Sequence, residues 1–114
     1  MPYLSIQTNL SVPKAQQQEL MQQASSLLAS ELGKAESYVM VAMQPETTML
    51  FAGNEAPTAY LEMKSIGLPE EATGRLSARL CSLVADTLQV DQSRIYIEFS
   101  NAQRHLWGWS GGTF

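Results

Sequence analysis

The chain has 114 residues, of which 45% are hydrophobic and 16% are charged, and its formal net charge is -4. This length is close to the commonest domain size and predicts one domain over residues 1–114, while the small share of charged residues favours an oligomer. The negative charge, with no cluster of lysines and arginines, argues against nucleic-acid partners, which require a basic face.

Two further absences narrow the class of protein. The chain contains no run of about 18 apolar residues and no signal peptide, so we expect a cytoplasmic protein that does not enter a membrane. Cys81 is the only cysteine, which excludes an internal disulfide and a CxxC redox or zinc site. A single cysteine on a predicted helix is typically a small residue of the hydrophobic core.

The first ten residues contain a candidate base. Met1 and Pro2 precede an apolar, β-prone run, which predicts a strand beginning near Tyr3. If Met1 is removed, Pro2 carries a free secondary amine, and burial beside other cations would lower the pKa of that amine. The alternative from these residues alone is that Pro2 only opens an edge strand, where its missing N–H costs little.

A first helix follows, with Ser11 as its predicted cap and Pro13 in its first turn. Apolar residues recur at helical spacing up to Gly33, the predicted C-terminal cap, and Lys34 stands in the loop just beyond. Residues 38–44 are rich in β-forming, apolar side chains and predict a strand buried on both faces. Residues 47–52 form a candidate short extra strand.

The second half repeats this order. Residues 59–64 alternate between apolar and polar side chains and predict a strand with one face on the core. Pro69 and two acidic residues open a second amphipathic helix, and residues 94–99 alternate as another strand. Aromatic residues among glycines over residues 105–114 suggest a small hairpin on another surface, with a second subunit as one candidate location.

Each half therefore reads as strand, helix and strand. Because such crossovers are right-handed and join parallel strands, we expect an α+β fold with a four-stranded mixed sheet and two helices on one face. The strands carry apolar side chains on both faces of the sheet. We therefore predict that the face without helices packs against neighbouring subunits.

Several short motifs occur in order along the whole chain: Met1-Pro2 before a strand, Thr8-Asn9, Gly33-Lys34, Ser65-Ile66-Gly67, Arg94-Ile95-Tyr96-Ile97, Gly108-Trp109 and Thr113-Phe114. Together they resemble the family of macrophage migration inhibitory factor and D-dopachrome tautomerase, within the tautomerase superfamily. The resemblance implies a homotrimer of β-α-β repeats with pockets at the subunit interfaces. It also implies keto-enol tautomerisation of aryl pyruvates such as phenylpyruvate, without a cofactor or metal.

Site residues can be assigned on the basis of the resemblance. It implies Pro2 as the general base after removal of Met1, and donors that stabilise enolate charge. The substrate-binding residues that it implies, with Tyr96 supplied by another subunit, are Lys34, Ser65, Ile66, Tyr96, Tyr38, Trp107 and Phe114.

The alternative function is a cytokine-like binding protein that acts on a receptor through its trimer surface, with tautomerase activity vestigial. The presence of Pro2, Lys34 and Tyr96 favours the enzyme. The best-known family members carry a CxxC near the third main strand, where this chain reads Thr58-Ala59-Tyr60-Leu61. We therefore expect no thiol oxidoreductase activity.

Overall fold

Strand, helix and parallel strand follow one another in each half of the chain, in a computed structural model that describes residues 1–114. The elements are β1 (Tyr3–Thr8), α1 (Lys14–Leu32), β2 (Met40–Gln44), β3 (Ala59–Ile66), α2 (Thr73–Leu88), β4 (Ile95–Ala102), β5 (Gly108–Trp109) and β6 (Gly112–Thr113). The main sheet has the order β2-β1-β3-β4. Parallel pairs β1/β2 and β3/β4 meet through the antiparallel pair β1/β3, which confirms the predicted mixed sheet.

Both helices cover the same face of the sheet, as predicted. In α2 every fourth residue is buried, because positions four apart lie on one side of a helix. The buried core comprises Leu20, Ala24 and Leu28 of α1, Leu76, Leu80, Val84 and Leu88 of α2, and Leu4, Ile6, Leu61 and Met63 of the two central strands. Neither helix is both long and apolar enough to cross a membrane.

The opposite face of the sheet is open in the single chain. The alternation in β4 confirms that Ile95 points to the core while Tyr96 and Glu98 point away from it. Tyr96 is 63% exposed. Tyr60 and Glu62 of β3 lie on the same open face, in register with Tyr96 and Glu98.

The predicted cap of α1 is wrong. The helix begins at Lys14 with Pro13 as its N-cap residue, and no side chain caps it. Ser11 lies two residues before that position, so its hydroxyl does not reach the free N–H groups of the first turn. The Ser11 hydroxyl instead donates a hydrogen bond to Glu46 Oε1 at 3.3 Å.

Two strand predictions also need correction. Residues 36–38 form a 3-10 turn, so β2 begins at Met40, which is 65% exposed. The strand is not buried on both faces, because β2 lies at the edge of the sheet and the helices cover one side only. Residues 47–52 form no strand, and a single bridge joins Phe51 to Asn54.

The C-terminal hairpin is confirmed and packs on its own chain. Strands β5 and β6 pair antiparallel, and the Phe114 N–H donates to the Trp107 carbonyl at 3.2 Å. The Trp109 and Phe114 rings stack at 5.5 Å between centroids and both meet Tyr38 edge to face. The hairpin thereby closes over the start of β2.

Candidate active site

A cavity of about 290 Å³ lies between the N-terminus, the 3-10 turn before β2 and the C-terminal hairpin. Most of its lining is hydrophobic, and the lining residues are Met1, Pro2, Tyr3, Ser37, Tyr38, Val39, Met40, Trp107, Gly108, Trp109 and Phe114. A concave apolar site with a few polar groups is the usual form of a small-molecule site. We call it the aromatic cavity.

Pro2 is held in this cavity by the sheet. Its side chain is fully buried, and its carbonyl accepts a hydrogen bond from the Met40 N–H at 3.0 Å. Since the next residue, Tyr3, pairs with Met40 in the parallel ladder, the position of Pro2 is fixed by β1 and β2 together. Pro2 therefore has a fixed position in the lining of the aromatic cavity.

Three aromatic rings line the cavity together with Pro2. Tyr38 meets Trp109 at 5.9 Å and Phe114 at 6.2 Å between ring centroids, in edge-to-face geometry. Edge-to-face and offset rings are the favoured arrangements of aromatic pairs, so this cluster is mutually stabilising. Trp107 also lines the cavity.

Trp109 was not among the predicted site residues, although it takes part in the ring cluster. Its partner Tyr38 lies far away in the sequence, and only the packing of the hairpin on β2 brings the two rings together. The available signal was its place beside Trp107 in a glycine-rich aromatic segment.

The amino group at this end of the chain has a perturbed pKa. Burial first, and then the positive charge of Lys34, lower the pKa of the Met1 amine below its usual value. Both effects disfavour the protonated amine. An amine at the N-terminal end of β1 therefore loses its proton more readily than an ordinary α-amino group.

Lys34 and Ile66 line a second cavity of about 650 Å³, which we call the polar cavity. Lys34 follows Gly33, whose left-handed backbone (φ 63°) ends α1 and turns the chain towards the sheet. Ile66 is the last residue of β3 and is followed by Gly67, also left-handed at φ 65°. These two turns place Lys34 beside the carboxyl end of β3.

Ser65 and Tyr96 lie outside both cavities. Ser65 is fully buried, and its hydroxyl donates to the Ile66 carbonyl at 3.2 Å. Tyr96 stands on the open face of the sheet, where its ring meets Phe51 edge to face at 4.9 Å. One chain thus brings Pro2, Tyr38, Trp107 and Phe114 together, with Lys34 and Ile66 nearby, but leaves Tyr96 apart.

The open face around Tyr60 is acidic. Partial burial and the carboxylates of Glu98 and Glu62 raise the pKa of the Tyr60 hydroxyl. This phenol stays protonated at neutral pH and is unsuited to act as a base. No group of three or more histidine, cysteine, aspartate or glutamate side chains is placed to hold a metal ion.

Comparison with known proteins gives a consistent result over the whole chain. The family model of macrophage migration inhibitory factor (MIF) matches residues 1–114. A macrophage migration inhibitory factor homolog of Brugia malayi is 35% identical, with 100% of this chain and 99% of that protein covered. The macrophage migration inhibitory factor of Rattus norvegicus is 36% identical with the same coverage.

The fold agrees with this sequence similarity. The crystal structure of a macrophage migration inhibitory factor homologue from Prochlorococcus marinus has a TM-score of 0.94 at 40% identity, and 98% of each chain is covered. The corresponding protein of Toxoplasma gondii has a TM-score of 0.92 at 32% identity, with 98% of this chain and 99% of that one covered. The chain belongs to the macrophage migration inhibitory factor family.

Proposed function

We propose that the protein is a keto-enol tautomerase that acts on aryl pyruvates such as phenylpyruvate without a cofactor. The general base is the amine of Pro2, freed by removal of Met1. The observation that carries this proposal is the position of Pro2, which is buried against an aromatic cavity at an end of the chain where burial and Lys34 lower the pKa of an amine.

The reaction moves one proton. The neutral Pro2 nitrogen takes a proton from the carbon next to the ketone, which leaves an enolate whose charge lies on the ketone oxygen. The protonated amine then delivers a proton to that oxygen, and the enol leaves. In the opposite direction the same amine returns the proton to carbon, so the base is regenerated in each cycle.

Charge recognition is assigned to Lys34. Its ammonium group carries the positive charge next to the amino terminus that depresses the pKa there. The same charge would attract the carboxylate of a 2-keto acid and stabilise the developing enolate. The Ile66 backbone lies beside Lys34 in the polar cavity and would contact the keto-acid end of the substrate.

The aryl group fits the aromatic cavity. Tyr38, Trp109 and Phe114 form a cluster in which an additional ring would find both faces and edges. A volume of about 290 Å³ lies near the lower end of the range for small-molecule sites. This size suits a single-ring substrate.

In this proposal Tyr96 contributes to the active site of a neighbouring subunit. Its ring is exposed on the open face of the sheet, away from Pro2 of the same chain. An edge strand with exposed aromatic and apolar neighbours favours association with further copies of the chain. We propose that the chain assembles as a homotrimer, in which Tyr96 of one subunit reaches the aromatic cavity of the next.

The direct test is to follow enol and keto phenylpyruvate by ultraviolet absorption with purified protein whose mass shows that Met1 is absent. We expect rapid interconversion in both directions. No acceleration over buffer by protein with a free Pro2 would refute the proposal. Protein that retains Met1 should be inactive, because the Pro2 nitrogen is then an amide without basicity.

The pH dependence provides a prediction about Lys34. We expect kcat/KM to rise with pH as the Pro2 amine loses its proton, with an apparent pKa below the value of about 7.7 to 8.0 for an ordinary α-amino group. Lys34→Gln should move this pKa upwards, because it removes a positive charge that disfavours the protonated amine.

The control for this pH profile is Lys14→Gln, which removes an equal charge at the start of α1. It should leave the pKa unchanged. An identical profile in wild type and Lys34→Gln would show that Lys34 does not act on the base.

Shared active sites can be tested by subunit mixing. Pro2→Gly and Tyr96→Ala should each be weakly active alone, whereas exchange between them should restore activity. In a random equal mixture about a quarter of the sites of a cyclic oligomer would combine a wild-type Pro2 with a wild-type Tyr96 from its neighbour. No recovery after exchange shown by mass spectrometry, or a monomer by light scattering, would contradict the assembly.

A further inference from the structure

The polar cavity lies where the two parallel strands of the second repeat end. Ile66 of β3 stands in register with Ala102 of β4, so both carboxyl ends open at the same edge of the sheet. Beyond β4, residues 103–104 enter a short 3-10 turn, and Arg104 joins Lys34 in lining the cavity. The two cations come from opposite halves of the chain.

The lining of this cavity is suited to anions. It contains Lys34, Arg104 and the side-chain amides of Asn101 and Gln103, but no carboxylate. An amide offers N–H donors, and a guanidinium group offers several donors in a geometry that matches a carboxylate. The Asn101 amide is engaged with the Leu68 backbone, so the donors available to a negatively charged ligand group are those of Lys34, Arg104 and Gln103.

Both cations are also free to bind a ligand. Of the seven lysines and arginines in the chain, Lys64, Arg75 and Arg79 form ion pairs and Arg94 donates to backbone carbonyls. Among the remaining three, Lys34 and Arg104 line the polar cavity, and neither side chain has a hydrogen-bond or ion-pair partner. The third, Lys14, lies at the start of α1.

Two residues of the polar cavity also bear on the region of the proposed base. Lys34, which lines it, is the cation that lowers the pKa of the N-terminal amine. Arg104 begins the 3-10 turn that leads to Trp107 of the aromatic cavity, and the Trp107 N–H donates to the Arg104 carbonyl at 3.2 Å. Arg104 and Trp107 therefore belong to the same short turn, with Arg104 in the lining of the polar cavity and Trp107 in that of the aromatic cavity.

We infer that the site selects substrates with two negative charges at the polar end, and that Arg104 is the residue that recognises the second anionic group. Lys34 holds the first carboxylate, as in the tautomerase function on which this inference rests. The substrate class is an aromatic keto acid with a second carboxylate close to the first. Phenylpyruvate, which has one carboxylate, leaves Arg104 unused.

Two matched ligands test this selection without turnover. Benzylmalonate is 3-phenylpropionate with a second carboxylate on the carbon that bears the first, so the pair differs only in the added charged group. We expect calorimetry at neutral pH to show that protein with a free Pro2 binds benzylmalonate about tenfold more tightly, as expected for one added charge-assisted hydrogen bond. Benzylmalonate that binds no more tightly than 3-phenylpropionate would overturn the inference.

Substitutions of Arg104 test whether this residue causes the preference for benzylmalonate. Arg104→Gln should abolish the preference for benzylmalonate and leave the affinity for 3-phenylpropionate unchanged, while Arg104→Lys should keep part of the preference. The matched control is Lys14→Gln, which makes the same change in net charge at a site remote from the cavity. An equal loss in Arg104→Gln and Lys14→Gln would show a general charge effect and overturn the assignment.

This test is independent of catalysis. Failure to tautomerise phenylpyruvate would refute the proposed function, yet an Arg104-dependent preference for the dianion would still establish the binding site. Conversely, normal turnover of phenylpyruvate with no preference for benzylmalonate would refute the inference alone. Thermal unfolding of each variant verifies that the exposed Arg104 substitutions leave the fold intact.

Discussion

Pro2→Gly is expected to lower kcat/KM for phenylpyruvate by about 10²- to 10⁴-fold, the range typical of a positioned acid-base group. The initiator Met1 is also removed when glycine follows it, so the variant still has a free N-terminal amine. It lacks the ring that is buried at the head of β1. The amine is therefore no longer held in one place against the aromatic cavity, and its pKa is no longer set by the same burial.

An insertion variant separates basicity from position. An alanine placed between Met1 and Pro2 leaves the proline ring in the chain but converts its nitrogen to an amide. We expect at least as large a loss of kcat/KM as in Pro2→Gly, because an amide nitrogen cannot accept the proton. The assay is the same interconversion of enol and keto phenylpyruvate, with intact mass confirming each N-terminus.

A matched proline control is available at Pro69, which is exposed before α2 and does not line the aromatic cavity. Pro69→Ala should retain wild-type activity. Undiminished turnover in either Pro2 variant, at unchanged thermal stability, would remove Pro2 from the mechanism.

The main elements of the fold could be predicted from local patterns. Alternation in β4 placed Ile95 on the core face and Tyr96 on the other, because a strand reverses its side chains at every residue. Four-residue spacing in α2 identified the buried stripe that begins at Leu76. Such periodicities are local properties, so they are visible in one sequence.

The errors occurred where burial depends on the rest of the molecule. The apolar residues of β2 predict a strand covered on both faces, but Met40 lies at a sheet edge that a local pattern cannot identify. Residues 47–52 have β-forming composition but no strand beside them to pair with. A high β-propensity shows that a segment is compatible with a sheet, but a strand also requires a neighbouring strand with which to pair.

The candidate site was predictable only through short motifs. Pro2, Lys34 and Ile66 belong to segments that are recognisable in order along the chain. Trp109 and Arg104 join them through the path of the C-terminal segment, which runs from the end of β4 to the aromatic cavity. No periodicity places residues of that segment beside an N-terminus more than 100 positions away in the sequence.

Leu80→Ala should produce a large loss of stability and leave the aromatic cavity intact. Leu80 is completely buried in α2 and belongs to the core between the helices and the sheet. Its replacement removes apolar contacts and leaves a cavity that the two central strands cannot fill. We expect the free energy of unfolding to fall by about 2 to 5 kcal/mol, the usual range for a buried leucine.

The measurement is urea unfolding at one fixed protein concentration, because an oligomer unfolds with a midpoint that depends on concentration. The control is Asp86→Ala, which truncates an exposed side chain of the same helix. Its effect should stay within about 0.5 kcal/mol, as for most surface substitutions. Equal losses in the two variants would mean that the stability of this chain does not depend on the core formed by α2 and the sheet.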